Sequence, residues 1–227
     1  MNWIETSYPK WVLQHRWYII FFSLVFVMLA ASGGRLLNFT TSYRVFFSED
    51  NPQLLAFEAL ENTYVRNDNV LIVFEPKDGN VFSKEVLSLV EDITEKAWQI
   101  PYSNRVDSIT NFQYTEAKED DLTVRDLVTG AKKMSAQELR KVREIAMDEP
   151  LLVHRLISDR GHVTAINVTV QLPRINEMVE TPEVVTYVRN LADEIREIHP
   201  DVNVYLTGMI MMNNSFSESS KSDMSSI

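Results

Sequence analysis

Hydrophobic positions along the chain switch repeatedly between a spacing of two and a spacing of three to four, and each switch marks an element. "NVLIVFEP" (69–76) is a near-continuous apolar, β-branched run closed by Pro76 and a "KDGN" turn, which predicts a buried strand. "SKEVLSLVEDITEKAW" (83–98) then places Leu87, Val90, Ile93, Ala97 and Trp98 at helical spacing, and "RVDSITNFQ" (105–113) alternates as a second strand. The same order returns later. "HVTAINVTVQL" (162–172) alternates, "TPEVVTYVRNLADEIREI" (181–198) carries a helical stripe of Val184, Val188, Leu191, Ile195 and Ile198, and "VNVYLTG" (202–208) closes the unit. Thr181 is expected to cap that second helix, with Pro182 in its first position. Between the units, "TEAKEDDL" (115–122) reads as an acidic surface loop. "SAQELRKVREIAM" (135–147) reads as a helix opened by a capping box of Ser135 and Glu138, and "PLLVHRLIS" leads through the turn "DRG" (159–161) to the next strand.

Two strand–helix–strand units predict an α+β domain of the ferredoxin-like, split βαβ kind, with helices on one face of a mixed four-stranded sheet. Upstream, "TTSYRVFFSED" is an extended lead-in, and Asn51 with Pro52 starts a helix. Its Leu54, Leu55, Ala59, Leu60 and Tyr64 are assigned to one face, with Glu58 and Glu61 on the other. The last stretch, "NNSFSESSKSDMSSI", is serine-rich. It reads either as a frayed tail or as a weak helical face of Met212, Phe216, Met224 and Ile227 re-approaching a membrane.

One run breaks the globular pattern. From Trp17 to Gly34, "WYIIFFSLVFVMLAASGG" has no charge and is closed by Arg16 and Arg35; eighteen helical residues would rise about 27 Å, close to the ~30 Å hydrocarbon core. Trp17 and Gly34 are therefore the expected limits of a membrane span, with Trp3, Trp11, Trp17 and Tyr18 as interfacial anchors. Residues 1–35 carry Lys10, Arg16 and Arg35 against Glu5, a net +2, so the rest holds −12 of the total −10. The positive-inside rule then puts residues 1–16 in the cytoplasm as an amphipathic lead and the acidic body outside. A cleaved signal peptide, suggested by the small residues ending "LVFVMLAASGG", and a buried core helix are the competing readings. The long Trp-rich lead argues against the signal. The division expected is 1–16 lead, 17–34 span, 39–210 extracytoplasmic domain, and 211–227 connector toward a second span.

Candidate chemistry is sparse. The acidic body disfavours nucleic acid as a partner, and the absence of cysteine removes disulfides and thiolate metal sites. His15, His154, His162 and His199 lack the i,i+4 pairing that supplies two metal ligands from one helical turn, so they are expected to be solvated or capping residues. There is no phosphate-binding loop and no nucleophile elbow. The acidic groups at 48–50, 118–121 and 147–149 lack alternating calcium ligands and read as solvated surface. Asn38, Asn167 and Asn213 each open a glycosylation-type triplet, a pattern common by chance. No cofactor, metal or catalytic residue is assigned, substrate-binding residues stay unknown, and the chain is not expected to be an enzyme.

The order of these segments resembles the N-terminal part of a resistance-nodulation-division (RND) transporter, in the branch of mycobacterial-membrane-protein-large (MMPL) and hopanoid-exporter-type permeases. The residues that carry the likeness are "YRVFFSEDNPQLLAFEALENTY", "DNVLIVFEPKDGNVFSKEVLSLV", "RVDSITNFQYT", "PLLVHRLISDRGHVTAINVTVQL" and "VYLTGMIMMNNSF", which together cover nearly the whole chain. Tyr64–Val65 departs from the aromatic–Gly pair usual in that family. The resemblance implies a first span followed by a periplasmic porter domain of split βαβ units, then a second span, in a bacterial inner-membrane efflux protein that uses the proton gradient to export hydrophobic or lipid-like molecules. It also implies that Phe46 and Phe47 seat the chain against the porter domain. The proton-carrying acids of such permeases lie in later spans, so none is carried over here. The partners implied are the lipid bilayer, the remaining membrane part of the same permease and possible identical subunits. A sensory or binding ectodomain of a membrane-anchored receptor is the alternative of another class, because it shares a short cytoplasmic start, one span and an α/β body.

Overall fold

The computed structural model describes residues 2–33, 44, 47–48, 50–64, 68–118 and 121–225. The chain divides into two compact units, Met1–Phe39 and Thr40–Ile227.

The first unit holds two helices, α1 (Asn2–Gln14) and α2 (Arg16–Ser32). They meet at an 81° bend, where His15 separates them. No described helix is by itself long and apolar enough to cross a membrane, but Tyr8–Gln14 and Arg16–Ser32 together meet that test of length and composition. Trp17 falls in the first turn of α2; Gly34, the other expected span limit, lies outside the described residues. No side chain of α2 is buried.

The second unit runs α3 (Pro52–Thr63), β1 (Asn69–Pro76), α4 (Lys84–Ala97), β2 (Ser103–Asp107), β3 (Gln113–Lys118), β4 (Asp121–Asp126), a 3-10 turn (Ala131–Lys133), α5 (Ala136–Asp148), β5 (Thr164–Val170), α6 (Glu177–Ile198), β6 (Val202–Thr207) and α7 (Met209–Ser225). It is an α+β unit built on a four-stranded sheet of order β2-β5-β1-β6. Each helical crossover joins two strands that run the same way, β1 to β2 through α4 and β5 to β6 through α6. One strand of the other unit is inserted between them, so every neighbouring pair is antiparallel. The expected mixed sheet is corrected on this point: interleaving the two units leaves no parallel ladder.

Strand alternation decides what each face does. Val70, Ile72 and Phe74 of β1 lie level with Val168 and Ile166 of β5 and with Leu206 and Val204 of β6. These residues share one hydrophobic cluster with Leu87, Val90, Ile93 and Ala97 of α4 and Val184, Val188, Leu191 and Ile195 of α6. Phe74, Ile72 and Leu87 are among the largest wholly buried side chains. Ser83 caps α4 by accepting the Val86 N–H at 3.2 Å. The expected stripes each lose their last member: Trp98, just past α4, is 49% exposed, and Ile198, the last residue of α6, is 63% exposed.

Three further expectations are corrected. The second strand ends at Asp107 rather than running to 113, because Asn111 folds back on it. Asn111 Oδ1 accepts the Ser108 N–H at 2.8 Å and Nδ2 donates to the Val106 carbonyl at 2.7 Å, a side-chain turn that competes with the ladder. The acidic "TEAKEDDL" is largely hairpin, not loop: β3 and β4 pair from Gln113↔Asp126 to Lys118↔Asp121, and Glu116 reaches Lys141 of α5 at 2.9 Å. The helix expected at Thr181 begins at Glu177. The Glu180 carboxylate accepts the N–H groups of Arg174, Ile175 and Asn176 at 2.8, 2.9 and 3.0 Å, so it organises the helix start in place of Thr181, which is buried inside. Pro182, one turn in, forgoes a single intrahelical bond. Of its two readings the serine-rich end takes the helical one, from Met209 to Ser225, docked on α6 through buried Ile210 and Met211 and through a two-pronged Arg189–Glu218 pair at 2.7 and 2.9 Å.

A fourth concerns α3. Asn51 caps it as expected, accepting the Gln53 and Leu54 N–H groups at 2.9 and 3.2 Å, and Pro52 occupies the first turn. Leu54, however, assigned with the other leucines, is half-buried on the side of Glu58 and Glu61. Glu58 and Glu61 turn inward onto Arg44, while Leu55 and Leu60 are more than half exposed. Phe47, expected to seat the chain, is 48% exposed, and Phe46 lies outside the described residues.

Candidate functional site

The helices cover one side of the sheet and leave the other side open, and that open face is the surface best suited to meet another molecule. Its residues are the alternate set of each strand: Asn69, Leu71, Val73 and Glu75 of β1, level with Thr169, Asn167 and Ala165 of β5 and with Thr207, Tyr205 and Asn203 of β6. At the centre Leu71 and Val73 are half-buried beside Ala165.

Polar ties brace the two ends of this apolar centre. At one end, Asn69 Nδ2 donates to Asn167 Oδ1 at 2.7 Å, and Asn69 Oδ1 accepts the Met209 N–H at 3.1 Å. At the other, Glu75 accepts from Tyr205 Oη at 2.9 Å and from Asn203 Nδ2 at 3.2 Å. The hydrogen bond to the Glu75 carboxylate, with its charge, pushes the Tyr205 hydroxyl above its ordinary pKa and keeps it a proton donor. On β2, Arg105 and Asp107 pair at 2.8 Å. Such a face can hold an apolar body across the centre and polar groups at its margins.

The other groups singled out in the sequence have local roles. His15 stacks on Trp11 with ring centroids 5.1 Å apart. The His154 N–H donates to the Ile157 carbonyl, and the His199 N–H to Ile195 at the end of α6. His162 Nδ1 lies 2.8 Å from Ser158 Oγ, but that oxygen also accepts the N–H groups of His162 and Val163, so it closes a turn and is not an activated nucleophile. Among the described residues no three His, Asp or Glu side chains gather as metal ligands. Of the acidic groups, Asp50 is exposed and Glu149 accepts the Leu151 N–H; Glu49, Glu119 and Asp120 lie outside the described residues. Asn167 sits in the sheet bonded to Asn69, which removes it as a glycan acceptor, since that chemistry needs a surface loop. Asn213 is within α7, and Asn38 lies outside the described residues.

In the first unit, the crook between α1 and α2 forms an apolar recess of about 740 Å³ lined by Trp11, Tyr18, Ile19, Phe22 and Phe26. Its lining surface is almost wholly apolar, with His15 and Ser23 among its polar members, which suits hydrocarbon. The open face of the sheet was missed in the sequence because alternation reveals that two faces exist without saying which one the helices take. No family model matches the chain, and no curated protein does.

Proposed function

We propose that this chain is the N-terminal part of a proton-driven RND-type exporter of hydrophobic or lipid-like substrates. α2 is its first membrane span, and the α+β unit is a ferredoxin-like porter domain on the periplasmic side of a bacterial inner membrane. The strand order β2-β5-β1-β6, with two interleaved strand–helix–strand units, supports the ferredoxin-like assignment. In this reading residues 1–16 are the cytoplasmic lead, the open sheet face borders the substrate path, and proton transfer belongs to later spans.

One observation carries the reading. The chain arrives at Asn69 and leaves at Gly208 side by side, at one end of the sheet, with the Met209 N–H on Asn69 Oδ1. A domain inserted between two spans of one membrane needs its two connections on the same side. The apolar α2 upstream, none of whose residues is buried, supplies the first such span.

The chain has no cysteine, so single cysteines test the topology directly. With a membrane-impermeant maleimide on intact spheroplasts, Arg160→Cys should label at once and Lys10→Cys only after permeabilisation. The reverse pattern, or release of the labelled domain free of its N-terminus, would overturn the reading.

A receptor ectodomain is the second reading, favoured by α7 continuing as a helix to Ser225. Further apolar spans encoded beyond Ile227 would select the exporter; a signalling helix followed by a cytoplasmic enzyme would select the receptor.

A further inference from the structure

Helix α3 turns most of its apolar side chains outward and leaves Leu54 on the half-buried side with Glu58 and Glu61. Leu55, Phe57, Leu60 and the adjoining Tyr64 are 51, 43, 57 and 68% exposed, whereas the side chain of Glu61 is only 10% exposed. Both of its carboxylates, Glu58 and Glu61, meet the guanidinium of Arg44, so each is ion-paired within the chain and the three groups together keep a single negative charge. The exposed arc of Leu55, Ala56, Phe57, Ala59 and Leu60 contains no ionisable group. A helix of a water-facing domain normally does the opposite, turning leucines inward and glutamates out. An outward apolar arc with its carboxylates ion-paired on the other side suits a surrounding of low polarity, where an unpaired carboxylate would be costly and a leucine would not.

We propose that α3 is an interfacial helix, lying in the surface layer of a lipid bilayer with Leu55, Phe57, Leu60 and Tyr64 toward the acyl chains. The proposal rests on the reading of α2 as a membrane span. Chain continuity favours lipid over a protein partner. α3 begins twenty residues after α2 ends, and it leads within six residues to β1, at the sheet end where the chain also departs. The helix therefore occupies the chain between an apolar segment and the end of the domain that both connections leave. Its own charges are Glu58 and Glu61, with no Lys or Arg, so attraction to anionic headgroups is not what would hold it. The apolar arc is the driving surface, and the association should be indifferent to salt. Tyr64, at the C-terminal end, supplies the amphipathic aromatic ring typical of the headgroup level.

The test uses the full chain in phosphatidylcholine nanodiscs, with single cysteines carrying an environment-sensitive NBD fluorophore. The positions are Leu55→Cys and Leu60→Cys on α3, Phe22→Cys in α2, and Lys132→Cys on the 3-10 turn as a solvent control. Lipids spin-labelled near the headgroup should quench Leu55 and Leu60 strongly, and lipids labelled deep in the acyl chain should quench Phe22. Neither should quench Lys132, and the Leu60 signal should persist in high salt. Two outcomes overturn the proposal: α3 probes that behave like Lys132 while Phe22 is quenched, or α3 probes that are shielded only when two labelled copies share a disc. If Phe22 itself escapes quenching, the membrane reading of α2 fails, and the proposal falls with it for a different, identifiable reason.

Discussion

Gly208 lies against the backbone of Asn69. A side-chain carbon built on Gly208 would sit 2.5 Å from the Asn69 carbonyl oxygen and 3.1 Å from the Leu71 nitrogen, and its φ of +109° belongs to glycine. The contact locks the point where the chain reaches the sheet to the point where it leaves, and the Met209 N–H on Asn69 Oδ1 fastens the same junction.

Gly208→Ala should therefore strain the backbone and force β1 and β6 apart at this end. A loss of about 2–3 kcal/mol is expected from the left-handed φ and the clash together. Thermal unfolding monitored by circular dichroism checks it; an unchanged midpoint would mean that the two connections are not held together here.

The two faces of β1 should respond differently to truncation. Phe74 is wholly buried under α4 and α6, so Phe74→Ala should cost about 3–5 kcal/mol. Val73, on the open face, leaves no enclosed cavity, and Val73→Ala should cost about 1 kcal/mol or less. Equal losses in urea unfolding would show that the open face is covered by something of comparable packing.

Glu180 gathers three backbone N–H groups ahead of α6 while being only 6% exposed. Glu180→Ala should strip these donors of their partner, costing about 1–3 kcal/mol, and should speed hydrogen exchange at Arg174, Ile175 and Asn176. The Thr181→Val change, which keeps shape at the position expected to be the cap, should leave those three amides protected. Loss of protection in both variants would assign the cap to the wrong residue.

The Arg189–Glu218 pair should make the docking of α7 sensitive to acid. The hydrogen-bonded guanidinium of Arg189 holds the Glu218 carboxyl below its ordinary value near 4.5. Its stabilisation is thus complete above about pH 4.5 and disappears as the pH falls through the lowered folded value. Both side chains are about half exposed, which limits the effect to ~1 kcal/mol or less. Distances between spin labels on α6 and α7 should be constant near neutrality and lengthen in acid. In Glu218→Gln that acid transition should vanish; its persistence would assign the change to another group.

Tyr205 should ionise later than an ordinary tyrosine, because its hydroxyl donates to the Glu75 carboxylate. Ultraviolet titration of Glu75→Gln should return Tyr205 toward its usual value near 10. If the titration curves coincide, the tie that braces the outer end of the open face is not made.

Elements whose signals are local were legible in the sequence. The Asn51–Pro52 start of α3, the Ser135–Glu138 capping box of α5 and the strand–helix–strand order depend on residues within one turn or one run, and each appears where its pattern placed it. Misreadings arose where a distant side chain intervened. The periodicity of α3 set Leu55 and Leu60 apart from Glu58 and Glu61 correctly, but it misplaced Leu54 and could not say which set faces in, because Arg44 recruits the glutamates from outside the helix. The start of α6 escaped because Glu180 caps backward onto Arg174–Asn176, whereas Thr181–Pro182 imitates a cap in sequence alone. Likewise, the polar run after Asp107 looked like strand and loop until Asn111 and the β3–β4 pairing redistributed it.

Residue pattern alone thus dictated an apolar helix at the start of the chain and an α+β body of two repeated units, since hydrophobic period and capping chemistry act over a few residues. The order β2-β5-β1-β6, the open face and the clasp at Gly208 depend on partners such as Asn69 and Asn167, 98 residues apart, or Asn69 and Met209, 140 apart. Those choices came from folding as a whole: a strand's alternation is satisfied equally by several neighbours, and only the simultaneous burial of every apolar face selects among them.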